Sequence, residues 1–127
     1  MEFEHFGLNV PDATAMANWY VEHCHMRVVR SMEETPYMHF LADEGGRVVM
    51  EIYSNPAAPI PDYSTQHPMR FHIAFAEPDP GAAKERLIRA GASFVEEDRL
   101  EDGSHLIMLR DPWGIPLQLC KRGMPLV

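Results

Sequence analysis

The sequence is poor in cysteine, in clustered basic residues and in long apolar runs. Its two cysteines, Cys24 and Cys120, lie far apart and form no CxxC motif, so we expect two free thiols and a cytoplasmic location. The 11 Lys and Arg residues are outnumbered by 19 Asp and Glu residues, and no stretch gathers enough of them to bind a row of phosphates. No apolar run approaches the roughly 20 residues that a membrane span requires. Nucleic acids and membranes are therefore not expected partners.

The length and composition are those of a small globular protein. Hydrophobic residues make up 46% of the 127 residues and charged residues 24%, both near the usual values. A chain of this size buries roughly two thirds of its unfolded surface, which is enough for a core without disulfides or structural metals. We expect a single domain over residues 1–127.

The chain matches itself when it is shifted by 67 positions, the difference between His5 and His72. The shift also superposes Pro11 on Pro78 and Asp12 on Asp79, and hydrophobic residues coincide along both halves, for example Phe40 with Ile107. An internal period of this kind indicates a repeated structural unit. The sequence therefore predicts module 1 at about 1–54, a linker at 55–69 and module 2 at about 70–122, in a register without gaps.

Within each module the hydrophobic period changes from two to that of a helix and back. Phe6, Leu8 and Val10 alternate with small or polar residues as in a half-buried strand, and Asp12 then suits the N-cap of a helix. Asp79 has the same position in the second module. Three strand-like runs follow each predicted helix: 26–32, 36–42 and 47–54, then 93–97, 104–110 and 115–121. The predicted fold class is α+β, with two tandem βαβββ modules forming a curved mixed sheet.

The predicted linker is rich in proline. It contains Pro56, Pro59, Pro61 and Pro68. Proline fixes its own φ angle and restricts the residue before it, so we predict that this segment is extended and stiff.

Four polar side chains are predicted to share one face of the sheet, away from the helices. They are His5 and Glu51 in module 1 and His72 and Gln118 in module 2, and the interval within each pair is the same. Two imidazoles, a carboxylate and an amide oxygen suit a divalent transition metal. A single strand histidine is more often a packed or surface residue, but equal spacing in two modules favours metal binding over that alternative.

The sequence resembles the vicinal oxygen chelate superfamily, which includes glyoxalase I, extradiol dioxygenases and bleomycin-resistance proteins. The resemblance rests on EHFGLNVPD and VVMEIY in module 1, and on FHIAFAEPD and the ending LRDPWGIPLQLCKR in module 2. It implies a divalent ion (Zn, Ni, Co, Mn or Fe) in a cleft between two modules, bound by His5, Glu51, His72 and Gln118. In the family this metal stabilises an enolate formed on a substrate that chelates through neighbouring oxygens.

One departure from the family concerns the catalytic base. Bacterial glyoxalase I usually has glutamate at the last ligand position, where this chain has Gln118, and an amide cannot act as a general base. Glu51 is therefore predicted to be the catalytic residue. Glyoxalase I also has an arginine four residues after the first ligand, where this chain has Asn9, whereas Asn55 fits the family's second glutathione position.

The resemblance implies a glyoxalase I-like lyase or isomerase, and two alternatives stay open. One is a small-molecule binding protein of the bleomycin-resistance type, without turnover. The other is an iron-dependent extradiol-type dioxygenase using His5, His72 and Glu51. The expected partners are a small-molecule substrate and a second copy of the chain in a homodimer. The residues predicted to contact the substrate are polar or aromatic: Asn9, Tyr37, His39, Tyr53 and Asn55.

Overall fold

The computed structural model describes all residues from 1 to 127, and its contacts divide them into unit 1, Met1–Pro61, and unit 2, Asp62–Val127. Unit 1 contains β1 (Phe6–Asn9), α1 (Ala13–Cys24), β2 (Arg27–Ser31), β3 (His39–Ala42) and β4 (Val48–Tyr53). Unit 2 contains a short 3-10 helix (Tyr63–Thr65), β5 (Ile73–Ala76), α2 (Pro80–Arg89), β6 (Ser93–Arg99), β7 (His105–Arg110) and β8 (Pro116–Lys121). Neither α-helix has the length and apolar character needed to cross a membrane.

Each unit has one four-stranded mixed sheet with the same topology. The strand orders are β1-β4-β3-β2 and β5-β8-β7-β6, and in both sheets the first and last strands of the unit pair in parallel while the other pairs are antiparallel. A parallel pair requires a long crossover, which the helix and the intervening strands provide. The predicted arrangement of two βαβββ modules is confirmed.

The helices begin where the sequence predicts. The Asp12 carboxylate accepts a hydrogen bond from the Ala15 amide at 3.0 Å, and the Asp79 carboxylate accepts one from the Ala82 amide at 3.1 Å. Each bond satisfies an amide that has no partner within its helix. Helix α1 ends at His25, whose φ of 56° lies in the left-handed region that closes many helices.

The apolar side of each sheet packs against its helix. In unit 1, Met50 and Ile52 of β4 are fully buried, as are Met16 and Tyr20 of α1. In unit 2 the same side carries buried residues of β7, β8 and α2: Ile107, Leu109, Leu117, Leu119, Ala83 and Leu87. Burial of each large apolar side chain stabilises the fold by roughly 2 kcal/mol relative to exposure, so the core determines which face of each strand points to the helix.

The two sheets have the same register between their parallel strands. The register of the neighbouring antiparallel pair, β3 with β4 or β7 with β8, differs between them by one residue. Glu51 pairs with Gly7 and Gln118 pairs with Ala74, as the shift of 67 requires. In the adjoining strands, however, Phe40 pairs with Glu51 and Met108 pairs with Gln118. Met108 is therefore the counterpart of Phe40, and the predicted gapless match of Phe40 with Ile107 is wrong.

The cause of this shift is a bulge at Val49 of β4, in the hairpin that β4 forms with β3. The pairing of β3 with β4 is irregular between Leu41 and Ala42, whereas β7 and β8 pair without interruption from His105 to Arg110. A β-bulge accommodates one extra residue on one strand of an antiparallel pair. Module 1 thus contains a residue between Phe40 and Glu51 that module 2 lacks between Met108 and Gln118.

The beginning of the proline-rich segment is fixed to unit 1 by one side chain. The Asn9 amide nitrogen donates hydrogen bonds to the carbonyl oxygens of Asn55 at 3.0 Å and Ala58 at 3.1 Å. Its amide oxygen accepts the backbone N–H of Asn55 at 2.8 Å. Residues 55–58 consequently form a turn beside the end of β1, which corrects the prediction of an extended segment there.

The end of the same segment is fixed to unit 2 by Arg110. Its guanidinium donates hydrogen bonds to the carbonyl oxygens of Tyr63 at 3.1 Å, Gln66 at 2.8 Å and Gly114 at 3.0 Å. Asp62 caps the 3-10 helix by accepting the Ser64 amide at 3.1 Å. The predicted stiff linker is therefore folded over residues 62–66 as well, because its backbone finds partners in the adjoining module.

We expect Gly114→Ala to lower stability more than Gly46→Ala. Both glycines have positive φ, 86° and 81°, where an L side chain costs about 1 kcal/mol. A Cβ at Gly114 would also lie 2.7 Å from the Ser64 backbone nitrogen, whereas a Cβ at Gly46 meets nothing within 4 Å. The clash should add about 1–2 kcal/mol to the loss in free energy of unfolding in urea. Equal losses in the two variants would contradict the close packing of the 3-10 helix on the β7–β8 turn.

We expect Asn9→Ala to lower the free energy of unfolding by about 2 kcal/mol, because three hydrogen bonds to backbone groups are lost. The Asn55 amide should also exchange its hydrogen faster, since it loses its acceptor. The matched control is Asn18→Ala, an exposed position within α1 where alanine favours the helix. Unchanged exchange at Asn55 in the Asn9 variant would refute the proposed fixing of the turn.

Candidate metal and substrate site

Unit 1 brings two of the predicted metal ligands together. His5 lies just before β1, and Glu51 lies on β4 opposite Gly7. The His5 Nε2 atom is 3.3 Å from Glu51 Oε2, and about a quarter of each side chain is exposed, 26% and 23%. The parallel pairing of β1 with β4 creates this contact, because it places both residues on the sheet side opposite the helix.

Unit 2 holds the other two predicted ligands at the corresponding positions. His72 lies just before β5, and Gln118 lies on β8 opposite Ala74. The His72 Nδ1 atom is 3.0 Å from the carbonyl oxygen of Pro68, and the Gln118 side-chain oxygen accepts a hydrogen bond from the Cys120 thiol at 3.1 Å. The register of the parallel strands is thus the same as in unit 1.

Both histidines have an oxygen acceptor at Nδ1. For His5 it is the Glu4 carboxylate at 3.0 Å, and for His72 it is the Pro68 carbonyl. An acceptor at Nδ1 favours the tautomer with the proton on that nitrogen, which leaves Nε2 with a free lone pair. Histidines that bind metals commonly have this arrangement, with an outer oxygen fixing the ring.

The His5–Glu51 contact fits a cation. When Nδ1 of His5 carries the proton, Nε2 and the Glu51 carboxylate oxygen both present lone pairs to each other at 3.3 Å. A proton or a metal ion between them removes that repulsion. Imidazole nitrogens with carboxylate and amide oxygens are donors that divalent transition metals accept. No group of three or more His, Cys, Asp and Glu side chains is arranged as a metal site in the structure, so the four-ligand set stays a prediction.

Aromatic side chains surround the His5–Glu51 pair. The rings of His5 and Phe40 meet edge to face, with centroids 5.1 Å apart. A Cβ added at Gly7 would lie 3.2 Å from the Tyr53 hydroxyl and 3.6 Å from Glu51 Oε2, so both side chains extend over this glycine. Tyr53 is predicted from the sequence but Phe40 is not, because the bulge at Val49 gives Phe40, and not His39, the strand position opposite Glu51.

The other predicted substrate residues differ in where they lie relative to Glu51: Asn9 pairs with Tyr53 and shares the Glu51 face of the sheet, whereas His39 does not. His39 pairs with Ile52, which puts it on the helix side of the sheet, and its Nδ1 atom is 2.7 Å from the Tyr37 carbonyl oxygen. Tyr37 is exposed in the loop before β3. Asn9 and Asn55 hydrogen-bond to each other at the turn described above. Of the five residues, Tyr53 is the one that the structure places beside Glu51.

Cys120 is positioned next to Gln118 but is not activated. The residue is buried, and burial raises the pKa of its thiol, with weaker opposition from the charge of Arg122. A thiol of raised pKa stays protonated near neutral pH and is a poor nucleophile. Its structural contribution is the hydrogen bond that orients the Gln118 amide.

Comparisons with solved structures show the same fold in several proteins. A glyoxalase family protein from Enterococcus faecalis is 24% identical, with coverage of 94% of this chain and 97% of that chain and a TM-score of 0.70. An antibiotic-binding protein from a Streptomyces species is 16% identical, with 96% of each chain covered and a TM-score of 0.69. A variant of glyoxalase I from Zea mays is 22% identical over 93% of this chain and 44% of that chain, with a TM-score of 0.70.

The sequence comparison assigns the family. No curated protein is similar enough in sequence to count as a match. The profile of the Glyoxalase/Bleomycin resistance protein/Dioxygenase superfamily matches residues 2–119, which is nearly the whole chain and includes both βαβββ modules. The protein therefore belongs to the Glyoxalase/Bleomycin resistance protein/Dioxygenase superfamily.

Proposed function

We propose that this protein is a divalent-metal-dependent enzyme, a glyoxalase I-like lyase or isomerase acting on a small substrate with neighbouring oxygen atoms. The observation that supports the proposal is the distance of 3.3 Å between His5 Nε2 and the Glu51 carboxylate, together with the hydrogen bond between His5 Nδ1 and Glu4. His72 and Gln118 occupy the corresponding positions of unit 2, so the same strand register supplies a second pair of donors.

All four predicted ligands take part in the proposed metal binding. His5, Glu51, His72 and Gln118 would hold the ion, each unit contributing one imidazole and one oxygen donor. The bound ion would polarise the substrate oxygens and stabilise negative charge that develops on them. A set with a single carboxylate leaves a net positive charge at the site, which favours an anionic or oxygen-rich ligand.

Glu51 is the residue that would move the proton. It is the one carboxylate among the four, and Gln118 cannot accept a proton at neutral pH. Its carboxylate would take a proton from a carbon next to a carbonyl group and return it to the neighbouring atom, so that the substrate is isomerised with no net loss of atoms. The Tyr53 hydroxyl, which extends over Gly7 beside Glu51, would donate a hydrogen bond to a substrate oxygen.

A second candidate function is binding of a small molecule without turnover. The structural neighbour from Streptomyces is an antibiotic-binding protein, and its fold matches with a TM-score of 0.69. The Phe40 and Tyr53 rings beside the His5–Glu51 pair offer flat apolar surface to such a ligand. The two candidates differ in one property, namely whether bound ligand is converted.

We expect protein purified without chelators or nickel affinity to contain close to one equivalent of Zn, Ni, Co, Mn or Fe by elemental analysis. The double variant His5→Ala/His72→Ala should lose it, because two of the four donors are removed. The control His25→Asn changes an exposed histidine and keeps a residue type that tolerates positive φ. An absence of metal that persists after incubation with each ion would contradict the metal-dependent proposal and favour the binding function.

We expect Glu51→Gln to slow exchange of the carbon-bound proton of α-hydroxycarbonyl substrates with deuterium oxide by at least about 100-fold, since the general base is lost. NMR of a panel of such substrates measures the exchange. The matched control is Glu44→Gln, which changes an exposed glutamate in the β3–β4 turn and should leave the rate unchanged. Equal rates in the wild type and Glu51→Gln would exclude Glu51 as the base.

A further inference from the structure

Unit 2 has a cleft on the helix side of its sheet, away from Gln118. Its volume is about 380 Å³, and it is formed by the start of α2 and the adjoining ends of β6, β7 and β8. Arg99 and Lys121 are the strand partners of His105, and all three line the cleft. Lys121 lies on the same face of β8 as the buried Leu117 and Leu119, which is the face opposite to that of Gln118. The cleft is thus separate from the proposed metal site.

Cationic side chains outnumber carboxylates in the lining of the cleft, although the chain carries a net charge of −8. Arg99 and Lys121 provide two cationic groups on its wall, and the Arg99 guanidinium also lies 4.0 Å from the Glu97 carboxylate. The one carboxylate that lines it, Asp79, already accepts the Ala82 amide as the N-cap of α2. The Gly81 amide adds partial positive charge on the same side, because Pro80 has no N–H and the Ala82 and Ala83 amides already bond to Asp79.

A buried histidine faces the cleft with one nitrogen free. His105 is 7% exposed, and its Nε2 atom is 2.6 Å from the Glu97 carboxylate, which Lys84 contacts at 3.1 Å. Hydrogen bonds from His105 and Lys84 hold the pKa of Glu97 below its usual range, so the carboxylate is ionised and accepts the Nε2 proton.

The other ring nitrogen of His105 is directed at the cleft. Nδ1 has no hydrogen-bond partner in the protein, and no fully buried side-chain polar atom in the structure lacks a partner. Nδ1 must therefore be accessible, and the cleft is the cavity that His105 lines. A buried imidazole with one nitrogen satisfied and the other open to a cavity is a ready hydrogen-bonding group for a ligand.

We propose that this cleft binds a phosphate group, as inorganic phosphate or as a phosphate monoester. Arg99 and Lys121 would bind the phosphate oxygens by charge-assisted hydrogen bonds, the Gly81 amide would donate a further bond, and His105 Nδ1 would accept a hydrogen bond from the P–OH of the monoanion. The volume exceeds that of phosphate alone, so the cleft has room for a small organic substituent.

The test is NMR titration of the full chain with inorganic phosphate and, separately, with phenyl phosphate. Saturable shifts of the Gly81 and Gly103 amides are expected, because both glycines line the cleft. Arg99→Gln and Lys121→Gln should each weaken binding about tenfold through loss of one charge-assisted contact. Both positions are exposed, so the variants should fold. Arg89→Gln removes the same charge from the last turn of α2 and should bind as the wild type does.

Two results would overturn the proposal. One is equal affinity in Arg99→Gln, Lys121→Gln and Arg89→Gln, which would show that phosphate responds only to net charge. The other is an absence of saturable shifts at Gly81 and Gly103 with both probes. Tighter binding of phenyl phosphate identifies a monoester as the preferred ligand, and binding of inorganic phosphate that is equal or tighter identifies the free ion; both outcomes support the site.

Discussion

The parallel pairing of the first strand of each unit with its last strand is the constraint on which the candidate chemistry depends. Pairing of Gly7 with Glu51 brings the end of the Glu51 side chain to His5, and the same pairing of Ala74 with Gln118 recurs in unit 2. Strand side chains alternate between faces, so a change of register by one residue would turn Glu51 toward the helix. The buried Met50 and Ile52 prevent that change, because they occupy the helix side.

Each sheet therefore has an apolar face and a face that carries polar side chains. Its helix side is apolar along most of its length, while the opposite side carries the candidate ligands and, in unit 1, the rings of Phe40 and Tyr53. At the end of the unit 2 sheet the helix side becomes polar, where His105, Arg99 and Lys121 line a cleft beside the start of α2. The same βαβββ unit thus offers polar groups on both faces of one sheet, at different ends of its strands.

Features that depend on a short local pattern were predicted correctly from the sequence. Features that depend on which residues pair between strands were not. The N-caps Asp12 and Asp79 need only a short polar side chain before an amphipathic stretch, so the sequence identifies them. His39 was expected beside the substrate, but its partner Ile52 lies on the helix side. Phe40 was missed because a bulge at Val49 of β4 shifts the register between the modules by one residue. No local pattern marks that bulge.

The sequence by itself determined the family, the two βαβββ modules and the equal spacing of His5–Glu51 and His72–Gln118, because these follow from an internal repeat and from hydrophobic period. Only the tertiary structure decided which neighbours those residues have. The Glu4 and Pro68 acceptors at the histidines, Asn9 as the anchor of a turn, and the exposed nitrogen of His105 all depend on groups that meet through folding. Hydrogen bonds act over about 3 Å, a distance that strand register and loop geometry set and residue spacing does not.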